Sequence, residues 1–165
     1  MNALWTYFWP VFAAGLLIGA VAGLVAFRRA KRAGILTLGA LASIAAAILW
    51  HGPLGAAGRF TGVVERSARQ TLADYEMTQV TARLHHDPLT RRIILSGSAD
   101  DFQRGELVRI MDSLPGVSSA SWSGAKGGLP LIAEAGIASL AGFLIGLLLA
   151  YLVELRRRYN AQWKW

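Results

Sequence analysis

The chain has 165 residues, 54% of them hydrophobic and only 16% charged, with a mean hydropathy of +0.40. That is too apolar for an ordinary water-soluble domain of this length, so the composition points to a membrane protein. Cysteine is absent, which excludes disulfides, thiolate catalysis and zinc–thiolate sites.

The first element is an apolar run over residues 4–27. A helix rising about 1.5 Å per residue needs roughly 20 residues to cross about 30 Å of hydrocarbon, so this run predicts a spanning helix. No Lys or Arg precedes it, which argues against a cleaved signal peptide. Gly15, Gly19 and Gly23 recur at every fourth position and so share one helix face, where small residues permit close approach of a second helix. Arg28, Arg29, Lys31 and Arg32 follow, so residues 1–33 read as a first span with a basic loop. A second, shorter apolar run over 34–50 predicts another span within segment 34–54, with Gly39, Ser43 and Ala47 spaced like the glycines of the first.

Segment 55–128 has the composition of a small soluble domain. Gly52, Pro53, Leu54, Gly55, Ala56, Ala57 and Gly58 form a breaker-rich exit from the membrane, and Ala125, Lys126, Gly127 and Gly128 a flexible return. Over 61–75, Val64, Ala68, Leu72 and Tyr75 recur at helical spacing among Glu65, Arg66, Arg69 and Asp74, which predicts an amphipathic helix. The period then changes to two. Val80, Ala82 and Leu84 alternate with polar residues, and Ile93, Leu95 and Gly97 share one face of a second strand. Asp87, Pro88, Leu89 and Thr90 suit a type I turn with Pro at its second position, so a hairpin is predicted. Asp100 with Gln103 reads as a capping box opening a helix whose apolar stripe is Leu107, Ile110, Met111 and Leu114. Pro115 and Gly116 stop it, and residues 117–122 form a last strand expected to lie parallel to an earlier one.

A third apolar run, 131–152 within segment 129–155, carries Ala138, Gly142, Gly146 and Ala150 on one face. A basic tail, 156–165, holds Arg156, Arg157, Arg158 and Lys164. The fold class is thus an α+β membrane protein: three transmembrane helices with a small α-β-β-α-β extracytoplasmic domain between the second and third. Both basic clusters are cytoplasmic only if all three runs span, which puts the N-terminus outside, the C-terminus in the cytoplasm and the domain in the periplasm. Residues 52–128 carry nine Lys/Arg against eight Asp/Glu, so the net charge of +7 reports topology and contact with membrane lipids, not nucleic-acid binding. Trp5, Trp9 and Trp50 would mark the outer interface, and Trp163 and Trp165 the inner one.

The strand pattern Ile93-x-Leu95-Ser96-Gly97, the polar helix opening Asp100-Asp101-Phe102 and the closing Leu114-Pro115-Gly116-Val117 resemble the BON-domain family of bacterial envelope proteins over residues 62–123. The segment is also similar to the membrane-proximal BON-like part of some OmpA-like envelope proteins. The resemblance implies a non-enzymatic module that binds phospholipid or other envelope components, or assembles with other proteins. The chain differs in a longer hairpin turn and in a third membrane helix where relatives carry a second BON copy or a peptidoglycan-binding domain.

Candidate chemistry is sparse. His85, His86 and Asp87 are adjacent on a strand and point to alternate faces, so no metal site is expected. No G-x-S-x-G elbow and no phosphate-binding glycine loop occurs, and neither catalytic residues nor a cofactor is expected. Glu134 reads as a first-turn carboxylate favoured by the helix dipole. Arg83, Arg91 and Arg92 on the hairpin, with Arg156, Arg157 and Arg158 on the tail, are candidate contacts to lipid phosphate. Gly15, Gly19, Gly23, Gly142 and Gly146 are candidate helix-packing positions, and three such stripes are expected to leave capacity for a partner. No span shows a buried ion pair, which argues against an autonomous channel or transporter. The expected function is a non-catalytic scaffold or accessory subunit of the bacterial inner membrane, partnered by other membrane-protein subunits or by copies of itself. The alternative is a lipid- or cell-wall-binding envelope protein without a fixed protein partner.

Overall fold

The computed structural model describes residues 2–28, 32–122 and 127–162. Its elements in chain order are α1 (Ala3–Ala26), α2 (Arg32–His51), α3 (Ala56–Asp74), β1 (Val80–His86), β2 (Leu89–Gly97), α4 (Asp101–Asp112), β3 (Ser119–Ser121) and α5 (Leu131–Gln162). They fall into two compact units, residues 1–7 with 55–134 and residues 8–54 with 135–165. The helices α1, α2 and α5 are each long and apolar enough to cross a membrane.

The first unit is the α+β domain. Its three-stranded sheet has the order β1-β2-β3, with β1 antiparallel to β2 and β2 parallel to β3. Val80, Ala82 and Leu84 of β1, Ile93 and Leu95 of β2 and Ala120 of β3 are buried, because alternate residues of a strand share a face and these are the apolar ones. Leu107 and Met111 of α4 are buried with them, as is the α3 stripe Ala56, Phe60, Val64, Ala68 and Leu72. The capping box is complete: Gln103 N–H donates to Asp100 Oδ1 at 2.7 Å, and Asp100 N–H donates to Gln103 Oε1 at 3.1 Å. Gly116, at φ +103°, lies where a Cβ would meet Val64 Cγ2 at 2.9 Å, so the turn after α4 can pass this close to α3 only with glycine.

Several boundaries differ from the sequence reading. Helix α3 begins at Ala56, because Gly55 takes the left-handed conformation before it (φ 68°) and the apolar stripe extends back through Phe60 to Ala56. Only residues 52–55 remain as connector. Tyr75 follows the last helical turn and is exposed, outside the stripe it was assigned to. The hairpin loop is Asp87 and Pro88 alone, joined by a cis peptide, so Pro88 occupies the third turn position and the loop is tight, not long. The last strand is only Ser119–Ser121. Residues 125 and 126 of the expected return lie outside the described residues.

The second unit is the apolar helices. Their closest approaches are made by small residues. A Cβ on Gly15 would run into the Ser139 carbonyl, and one on Gly19 into that of Phe143. In return, Gly142 faces the Phe12 carbonyl and Gly146 that of Leu16. Gly39 of α2 packs on the Phe143 ring and on Ala22, and Gly23 packs on Ala150. Ser139 Oγ donates to the Ser43 carbonyl at 2.8 Å, with both serines buried, which joins α5 to α2 by a hydrogen bond in an apolar setting. Helix α5 continues past residue 152 through the arginines to Gln162.

Candidate functional site

The candidate residues fall into three groups. The glycines Gly15, Gly19, Gly23, Gly142 and Gly146 all lie where helices of the same chain meet. Ala47 and Ser43 of the α2 stripe are buried too. All three small-residue faces therefore meet neighbours inside the chain.

The hairpin arginines do not form one cluster. Arg91 and Arg92 are adjacent on β2 and so diverge to opposite faces. Arg91 lies on the Glu134 side, its Nε 2.7 Å from Oε2, with both side chains largely covered. Its N–H is not aligned for a hydrogen bond, so the contact is an ion pair held by charge and position. Glu134 is thus more than a first-turn carboxylate: it ties the start of α5 to β2. Arg92 Nε donates to Ser121 Oγ at 3.2 Å across to β3. Arg83 sits exposed on β1.

The tail arginines surround a carboxylate that the sequence reading passed over. Glu154 is 6% exposed, with Arg157 Nε at 3.1 Å, Arg158 Nε at 3.2 Å and Arg28 Nε at 3.9 Å. Only the carboxylate is covered; the three arginines are more than half exposed, and the group lies past the apolar run 131–152. The signal was present in the spacing, since Arg157 and Arg158 stand three and four residues after Glu154 on one helix face. Arg156 is exposed. Arg29, Lys31, Trp163, Lys164 and Trp165 lie outside the described residues; Trp5 and Trp9 are exposed on α1.

Around the histidines, His85 Nδ1 lies 3.0 Å from the Pro88 carbonyl, and His86 Nε2 lies 3.5 Å from Glu65 Oε1. Glu65 Oε1 also accepts the Leu84 N–H at 3.0 Å. Among the described residues, no three His, Cys, Asp or Glu side chains gather in a metal-binding arrangement. Glu65 was legible only as a polar position of an amphipathic helix. Its reach to the edge of β1 depends on how α3 packs beside the sheet, which no local pattern encodes.

No family model matches the chain, and neither a curated protein nor a solved structure matches it.

Proposed function

We propose that the chain is a non-catalytic scaffold or accessory subunit of a larger bacterial inner-membrane assembly, presenting a BON-like domain at the outer membrane face. The observation that carries this reading is the way the α+β domain is fastened to the beginnings of two apolar helices. Tyr7 of α1 packs its ring on Phe60 of α3, with centroids 5.4 Å apart. Arg91 pairs with Glu134 of α5, and Thr90 bridges to Pro130 just before that helix. The domain thus takes in the first turns of both flanking helices, residues 3–7 and 131–134, and a domain built together with its flanking segments suits a scaffold more than a tethered ligand trap. The test is copurification of the full chain after mild solubilisation, with a partner at fixed stoichiometry expected. Orientation is tested on the cysteine-free chain by labelling Ser67→Cys and Ala161→Cys, with the first expected to react only from outside the cell and the second only from the cytoplasm.

One observation favours the lipid reading. An apolar groove of about 480 Å³ runs between α1 and α2, lined by residues that include Leu17, Val21, Val25, Leu38 and Ala42. Arg28 follows Val25 by three residues and Arg32 precedes Ile35 of the groove by three, which suits an acyl chain with an anionic headgroup. Retention of phosphatidylglycerol through purification, with no protein at fixed stoichiometry, would favour this reading over the first.

A further inference from the structure

β1 is an edge strand: among the described residues, in the sheet order β1-β2-β3, one of its sides is paired, to β2. The direction of its free groups follows from one contact. Leu84 N–H reaches Glu65 of α3, so it points away from β2. Pairing runs without interruption from Val80↔Gly97 to Leu84↔Ile93, and the backbone groups of a strand alternate in direction, so Ala82 N–H and C=O and the Val80 C=O also point outward. Val80 N–H is met by the Met77 carbonyl at 3.2 Å. Along this side lies a groove of about 350 Å³ between β1 and the second half of α3. Its walls are Leu72, Ala73 and Met77 on one side and Val80 to Arg83 on the other, with Arg69 and Thr78 completing the lining. Arg69 and Arg83 are exposed and make no ion pair among the described residues, and the lining contains no carboxylate.

We infer that this groove takes an extended acidic segment of a partner protein as a fourth strand beside β1. The inference rests on the scaffold reading and names the surface through which that scaffold engages its partner. Three features select this occupant. Outward backbone groups on an edge strand are satisfied by another strand, in the manner of β-strand addition. An apolar wall along a helix gives pockets for alternate side chains of that strand. The two arginines set its charge, and the chain already shows the matching chemistry one step along the edge, where the Glu65 carboxylate meets the Leu84 N–H. A second copy of the chain is a poor occupant, because pairing β1 with β1 would bring together Arg69 and Arg83 from both copies.

The experiment uses the full chain in detergent micelles with a capped peptide alternating Glu with Val, and a matched peptide alternating Lys with Val. Amide exchange at Ala82 is followed by nuclear magnetic resonance. The Glu peptide is expected to slow exchange at Ala82 by at least about tenfold, which an association through Arg69 and Arg83 side chains alone would not do. The Lys peptide is expected to leave it unchanged. In the doubly reversed chain, Arg69→Glu with Arg83→Glu, the preference for the two peptides is expected to exchange; both side chains are exposed, so folding is spared. Unprotected Ala82 at about 1 mM Glu peptide, equal binding of the Glu peptide to the reversed chain, or a chain dimer that protects Ala82 would each overturn the inference. A partner retained at fixed stoichiometry by the reversed chain would overturn the groove but leave the scaffold reading. Glu-peptide binding in a chain that copurifies with no partner would sink the scaffold reading and leave the groove.

Discussion

In the apolar helices glycines meet the backbone of the facing helix, whereas the α+β domain fully buries bulky side chains, among them Leu84, Ile93, Leu95, Leu107 and Met111. The difference follows from the solvent each part is built for. Water drives bulky apolar side chains together, so the domain gains by filling its interior with them. Lipid tails are as apolar as leucine and supply no such drive; there, helices gain by bringing backbones into close packing, which only glycine, alanine and serine allow. Accordingly Leu17, Leu38, Leu144 and Leu148 are exposed while Gly15, Gly19, Gly142 and Gly146 are covered. Removing side-chain volume should damage one part, and adding it should damage the other.

The largest expected effect is in the domain. Ile93 is fully buried on the central strand, between β1 and β3. Ile93→Ala removes methyl groups that its neighbours cannot replace, at a cost of about 2–5 kcal/mol. Amides of β1 and β2 should lose exchange protection while those of the apolar helices keep theirs. A single transition that unfolds both parts together would erase the distinction.

How far this division was legible depends on the range of the pattern. Apolar length located all three long helices, and alternation located β1 and β2 and chose their buried faces, because both signals are local. The Asp100 and Gln103 pair announced α4 for the same reason. What local pattern could not give was pairing at a distance. It marked Gly142 and Gly146 as a packing face but not Phe12 and Leu16 as the backbone they meet, and it marked Glu134 as a helix-start carboxylate but not Arg91 as its partner. Residues 56–58 misled because Ala56, Ala57 and Gly58 resemble a linker, yet Ala56 is the first buried residue of the α3 stripe. The arginines after residue 152 likewise read as a tail, although Arg157 and Arg158 continue the helix with Glu154 between them and the apolar run.

Next in size is Gly19→Leu in the apolar helices. The new Cβ is directed at the Phe143 carbonyl, a backbone group that cannot turn aside, so the expected loss is about 1–3 kcal/mol. Because the contact lies within one chain, the loss should appear in the purified chain alone, as a lower dodecyl sulfate concentration for unfolding. An unchanged midpoint together with loss of a copurifying protein would move Gly19 to an external interface and break the comparison.

A smaller effect, confined to the domain, is expected at the start of α4. Asp100→Ala removes the acceptor of the Gln103 N–H and leaves only the bond from the residue 100 N–H to Gln103 Oε1, at a cost of about 1 kcal/mol. Faster exchange at the Gln103 amide should be its first sign. The apolar helices should not respond, since nothing in their packing depends on a cap in water.

The finest test lies within α5 itself, where two glycines six residues apart should answer the same substitution with opposite signs. Gly142→Ala directs a methyl group at the Phe12 carbonyl, with Leu16 N at 3.0 Å, so α1 and α5 must separate to admit it. Gly136 has nothing within 4 Å of the position its Cβ would take. There the methyl meets no wall, and replacing glycine inside a helix removes backbone freedom from the unfolded chain, a gain of no more than about 1 kcal/mol. Gly136→Ala should therefore raise the dodecyl sulfate midpoint slightly and Gly142→Ala lower it. If both lowered it, glycine would matter in α5 for its own flexibility and not for what it faces, and the close-packing account of the helices would fail. If the signs differ, position on the helix face decides what a glycine is worth.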